Sequence, residues 1–147
     1  MNDEKKAVLR NIRDLLVDMF VALARVLFFW LPGGEAAKGQ ALMAGHPFFI
    51  GLCIALFFYL PTRHPLRFFI VGLAIATVAS QWLLGGCVVT RAEQRLTGSK
   101  DTIVDPFLKL AGVEVGRDTR ISATLGVGTA ICGIMVWVVL VDIVRSV

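Results

Sequence analysis

Three stretches of the chain, Leu42 to Leu60, Phe68 to Thr90 and Ile121 to Val141, run without a single Lys, Arg, Asp or Glu. Runs of about 20 apolar residues, rising about 1.5 Å per residue, cross a hydrocarbon core of about 30 Å as helices. Apolar residues follow one another without alternating, which argues against strands, and an open sheet in lipid would leave backbone groups unpaired. The pattern therefore predicts three transmembrane helices. His46-Pro47 interrupts the first. Because Pro suits the first position of a helix, that helix is expected to begin at Pro47, with Leu42 to Gly45 as an interfacial lead-in. Pro61-Thr62-Arg63-His64-Pro65 forms a tight connection into the second span, so these two helices make an antiparallel hairpin.

The N-terminal third has a different rhythm. From Leu9, apolar residues recur at Ile12, Leu16, Met19, Leu23, Val26 and Trp30, alternating steps of three and four, while Arg10, Arg13, Asp14, Asp18 and Arg25 lie off this seam. Leu31-Pro32-Gly33-Gly34 closes the segment. Residues 1–33 are thus expected to form an amphipathic helix at the membrane surface, and 42–147 a three-helix transmembrane domain. The fold class that follows is all-α and integral to the membrane. Two alternatives compete: a coiled-coil seam, and a fourth span from about Leu15 to Leu31, which would place Asp18 and Arg25 in lipid at a few kcal/mol each.

Charge discriminates between three and four spans. With three, Lys5, Lys6, Arg10, Arg13, Arg25, Lys38, Arg91, Arg95, Lys100, Lys109, Arg117 and Arg120 share one side, against Arg63, Arg67 and Arg145. Basic residues accumulate on the cytoplasmic face, so the N-terminus and the loop 91–120 are expected there. Four spans would divide the charges evenly. Within the loop, Asp105 is placed to cap a short helix at Pro106 to Ala111, and Gly112 to stop it.

Composition agrees with this architecture: 56% hydrophobic and 18% charged residues, with a mean hydropathy of +0.75, lie outside the range of soluble domains. The net charge of +4 is explained by anionic lipid headgroups, and no nucleic-acid-binding motif accompanies it. The expected partners are therefore the lipid bilayer and other membrane proteins or a second copy, with no nucleic acid. The absence of an Asn-x-Ser/Thr site and of a secretory signal accords with a bacterial inner membrane.

Candidate chemistry is sparse. Cys53 and Cys132 fall within spans and read as small buried hydrophobes. Cys87 differs, because Gly85-Gly86-Cys87-Val88-Val89-Thr90-Arg91-Ala92-Glu93 would set Cys87, Thr90 and Glu93 on one face of a continuing helix. A metal needs three or four converging ligands, whereas Cys87 and Glu93 offer two, with His64 expected at the opposite end and His46 apart on the same side. No metal or cofactor is implied. Gln81, the one strongly polar residue well inside a span, is expected to make an interhelical hydrogen bond. The rows Gly72, Ala76, Ser80 and Ser122, Gly126, Ala130 are expected to serve helix packing, within the chain or against a partner.

The Cys-x-x-Thr-x-x-Glu set at a helix end, with His46 at the start of a span and Arg63-His64-Pro65 in a turn, resembles a family of small bacterial inner-membrane proteins of unassigned activity. The resemblance covers roughly His46 to Val141. Members usually carry Pro directly after the Cys, where this chain has Val88. It implies the three-helix core and no activity. With no catalytic constellation in view, the expected occupation is non-enzymatic: an accessory subunit of a larger respiratory or photosynthetic membrane complex. A small homo-oligomeric transporter or channel is one alternative, and a membrane redox or metal-binding protein using Cys87 and Glu93 is another.

Overall fold

A long helix with a polar beginning and an apolar end organises the rest of the chain. The structure, a computed structural model, describes residues 3–145. Residues 1, 2, 146 and 147, the outer ends of the two predicted segments, lie outside the described residues. All described elements are helices: α1 (Asp3–Leu27), α2 (Gly34–Tyr59), α3 (Pro65–Leu84), α4 (Val88–Thr97), α5 (Asp105–Leu110) and α6 (Arg117–Arg145). Three of them, α2, α3 and α6, are long and apolar enough to cross a membrane.

The count of three spans matches the sequence expectation, but the boundaries move. At 26 residues, α2 is about 39 Å long, more than a bilayer core requires, so its first turns, with Glu35 and Lys38, extend beyond the apolar stretch. It does not begin at Pro47. The helix runs through that residue, although Pro has no N–H for the carbonyl four residues back, a loss of about 3 kcal/mol in a helix interior. The second predicted span, to Thr90, is cut at Leu84 because Gly85 and Gly86 take positive φ values of 66° and 125°, and α4 starts afresh after them.

Two apolar clusters share α2. On its polar half, Val17, Val21 and Ala24 of α1 pack against Val88, Ala92 and Leu96 of α4, with Leu42 of α2 alongside. On its apolar half, Phe57, Ile70 and Met135 join α2, α3 and α6. The packed face of α1 is not the predicted seam. Ile12, Met19, Leu23, Val26 and Trp30 all remain exposed. At 100° per residue, those within α1 lie about 155° around the helix from Val17, Val21 and Ala24, so α1 carries two apolar faces and the chain covers one. Asp18 and Arg25, costly in lipid, instead pair with Arg95 of α4 and Glu35 of α2.

Asp105 does not cap α5 as expected; Val104 holds that position. The carboxylate turns back to accept from the Thr102 N–H at 3.1 Å and from its hydroxyl at 2.6 Å. It also accepts both arms of Arg120, at 2.7 and 2.6 Å, tying the loop to the start of α6. Gly112, with φ +70°, follows the end of α5 as predicted.

The far end of the spans holds a pair that the predicted bounds missed by one residue on each helix. Arg67 of α3, 5% exposed, places Nη1 2.8 Å from Asp142 Oδ2 of α6, and its guanidinium lies 4.6 Å from the Phe57 ring centroid. The pair is close but not aligned as a hydrogen bond, and Arg67 Nε and Asp142 Oδ2 have no hydrogen-bond partner among the described residues. Removing one member strands the other charge, which costs about 3–5 kcal/mol, whereas replacing both with apolar residues costs far less. Arg67→Met is therefore expected to lower the melting temperature in detergent strongly, and Arg67→Met with Asp142→Leu to recover most of it; equal losses in the two variants would refute the coupling.

Candidate functional site

Local sequence builds one half of the site. The Gly85 and Gly86 turn ends α3, and Cys87 follows in an extended conformation (φ −70°, ψ 126°) as the N-cap of α4. Steps of three then carry Thr90 and Glu93 along the same side of the helix as Cys87. The predicted single continuing helix is thus a break and a new helix, yet the shared face survives.

The other half comes from α2. His46, expected apart from the signature, lies between its two ends: Nδ1 is 3.0 Å from Glu93 Oε1, and Nε2 is 3.9 Å from Cys87 Sγ. Sequence reasoning missed this because His46 and Cys87 are 41 residues apart in the chain. The signal was the His-Pro pair at a polar-to-apolar transition, legible only once α2 is known to continue through Pro47.

Close helix approach makes the contact possible. A Cβ at Gly39 would fall 2.6 Å from Thr97 Cγ2 and 2.9 Å from Leu96 Cβ, so α4 rests directly on the α2 backbone there. Ala92, fully buried, and Ala24, 1% exposed, keep the neighbouring layer equally thin.

The chemistry follows from which nitrogen meets which atom. Nδ1 faces the Glu93 carboxyl and Nε2 faces the Cys87 sulfur, so a proton held on Nδ1 toward Glu93 makes Nε2 the nitrogen that can receive the thiol proton. Glu93 is 4% exposed, and a buried carboxylate demands such a partner. Burial pushes the Cys87 thiol up, but the His46 contact and its charge act against it, and the Thr90 amide and hydroxyl add smaller effects in the same direction. The balance leaves the thiol below its ordinary value. The sulfur closes no capping hydrogen bond of full geometry, so Thr90 contributes by proximity. The first amides of α4 favour negative charge at the same place.

Because Cys87 and Glu93 take opposite nitrogens of one imidazole, the three residues form a relay instead of a chelate. Among the described residues, no group of three or more His, Cys, Asp or Glu is arranged to hold a metal ion.

The other candidates lie elsewhere. His64 caps α3, accepting from the Leu66 N–H at 3.2 Å, at the far end of the spans. Gln81 is buried, but its Oε1 has no partner, and the interhelical bond expected of it is made by its neighbour: Trp82 Nε1 donates to Thr129 Oγ1 at 3.3 Å. Gly128 opposite Gln81 has no side chain to answer the amide, so Oε1 borders an apolar crevice of about 140 Å³ also lined by Cys53 and Cys132. The small-residue rows do not pack inside the chain. Gly72, Ala76, Ser122, Gly126 and Ala130 are exposed and Ser80 is half-buried, while α3 and α6 meet through Ile70, Val71, Ala74, Ile131 and Met135. No family model, curated protein or solved structure matches this chain.

Alkylation by iodoacetamide, read on the Cys87 peptide by mass spectrometry, is expected to rise with pH through a midpoint below the free-cysteine value of about 8.5. His46→Ala should move that midpoint upward, since burial is then opposed only by the smaller effects of Thr90. A wild-type midpoint at or above the free value contradicts the arrangement.

Proposed function

We propose that the protein is a membrane-interface thiol enzyme in which Cys87 is the nucleophile, His46 the proton acceptor and Glu93 the residue that orients the imidazole. The observation that carries this reading is the placement of one imidazole between a thiol and a buried carboxylate, with a different ring nitrogen toward each. A nucleophile, a base and an orienting acid in that order define activated-cysteine chemistry. The sulfur–nitrogen distance of 3.9 Å is long, as such contacts commonly are before substrate binds.

Acyl transfer fits better than disulfide exchange. Cys53 and Cys132 line the crevice within the spans, so neither is placed as a resolving thiol for Cys87. In the acyl reaction the thiol proton has already passed to His46 Nε2, and the resulting thiolate bonds to the carbonyl carbon, whose oxygen takes up the negative charge. The oxyanion is met by the free amides at the start of α4. His46 returns the proton to the departing alcohol or thiol as its bond to the acyl carbon breaks, leaving a thioester on Cys87 for water or a second acceptor. The distribution of Lys and Arg supports an orientation with this site on the cytoplasmic side of a bacterial inner membrane.

Incubation of the purified protein with p-nitrophenyl or thioester acyl donors in detergent is expected to leave an acyl adduct on Cys87 by intact-mass and peptide analysis. Cys87→Ser should abolish the thioester, and His46→Ala should slow acylation by about 100-fold or more. Acylation at equal rates on all three cysteines would sink the reading.

A second reading is favoured by the open small-residue rows. No heavy atom lies within 4 Å of a Cβ built on Gly72 or Gly126, so these faces are free to receive another helix. On this reading the protein is an accessory subunit packed laterally on a larger membrane complex. Purification in mild detergent should then retain a partner that Gly72→Leu or Gly126→Leu releases; recovery of the wild type as a lone monomer counts against it.

A further inference from the structure

We propose that the groove between the first turns of α1 and the last turn of α3 binds the phosphate headgroup of an anionic phospholipid. The groove, of about 390 Å³, is lined by Lys6, Arg10 and Arg13 on one wall and by Trp82, Leu83 and Leu84 on the other, with Leu9 and Gly85 completing it. The three cations stand at steps of four and three along α1 and therefore share one side of that helix. Among the described residues, no acidic side chain lines the space.

The local charge is under-compensated. Lys6 meets Asp3 at 3.4 Å on the exposed surface, Arg13 meets Asp14 at 3.0 Å, and Arg10 reaches the Lys6 carbonyl through Nε at 3.4 Å. The carbonyl end of α3 does not call for these side chains, since Arg91 already donates to the Gly85 carbonyl at 2.9 Å. Arg91 itself has its guanidinium lowered from its ordinary value by burial and then by the charges of Arg13 and Arg117, with Asp14 opposing. Positive charge thus crowds this corner.

The opposite wall selects lipid over a free anion. Trp82 and Leu83, 63% and 66% exposed, continue from the groove down the outer surface of a membrane-crossing helix. Trp gathers at the headgroup level of bilayers, and basic pockets beside spans take anionic headgroups. A phosphate between the α1 cations would leave its acyl chains against Trp82 and Leu83. The groove also lies beside the relay, since Gly85 is two residues before Cys87. Binding there does not depend on thiol chemistry.

The test uses the full chain in detergent with Trp30→Phe and Trp137→Phe, so that Trp82 alone reports. Titration with short-chain phosphatidylglycerol is expected to give a saturable fluorescence change that weakens as salt is raised, with no comparable change from phosphatidylcholine. Arg10→Gln with Arg13→Gln should weaken the phosphatidylglycerol response by about thirtyfold. The salt series needs no further substitution at the groove, so it stands even if the double variant fails to fold. Equal responses to the two lipids, or a salt-independent response, would overturn the proposal. Saturation by inorganic phosphate at the same concentration would also overturn it, because the groove would then be a general anion site. Lipid binding is read without turnover, so failure of acylation at Cys87 leaves it intact.

Discussion

Gly39 permits what most of this molecule depends on, the contact of α4 with the backbone of α2. With a side chain there, Thr97 and Leu96 would be displaced, and α4 would have to stand away from α2 along its length. The distance between His46 and the Cys87–Glu93 face is set by this approach. So is the depth of the layer in which Val17, Val21 and Ala24 meet Val88, Ala92 and Leu96. A helix of only 10 residues has little stability of its own in water. Its position comes from packing between two longer helices, and the site it carries inherits that position.

Polar groups are concentrated at the ends of the apolar body, and each end uses them differently. At the far end, the buried Arg67 pairs with the half-buried Asp142 and lies over the Phe57 ring, which ties α3 to α6 and α2. At the other, Asp18–Arg95 joins α1 to α4 and Arg25–Glu35 joins α1 to α2 on exposed surface. Exposed pairs of that kind contribute little individually. They set register, while the apolar layer beneath them supplies the cohesion. The relay at His46 lies between the two regimes, where burial raises the cost of any charge left without a partner.

The apolar surface that remains uncovered has two origins. Phe48, Phe69, Leu73 and Trp137 lie on membrane-crossing helices, where exposure means contact with lipid. The stripe of α1 through Met19, Leu23 and Val26 is on a helix outside the three spans. Its neighbour on the same helix, the packed face, turns toward α4. An element with two apolar faces can dock on its own chain and still present an adhesive surface.

Three membrane-crossing helices were legible in the sequence because the cost of charge in lipid acts on each residue separately and leaves long uncharged runs. The amphipathic character of α1 and the grouping of Cys87, Thr90 and Glu93 were legible for a similar reason, since both follow from helical spacing within one segment. Which face of α1 packs was not, because two faces were apolar and only the position of α4 selects between them. The uncharged stretches do not coincide with the helices, which run on past Arg67 and Asp142. These two residues form an ion pair across α3 and α6. His46 joined the site only in three dimensions. Its role depends on α2 passing unbroken through Pro47 and on a missing side chain at Gly39, and neither the passage nor the contact has a local signature.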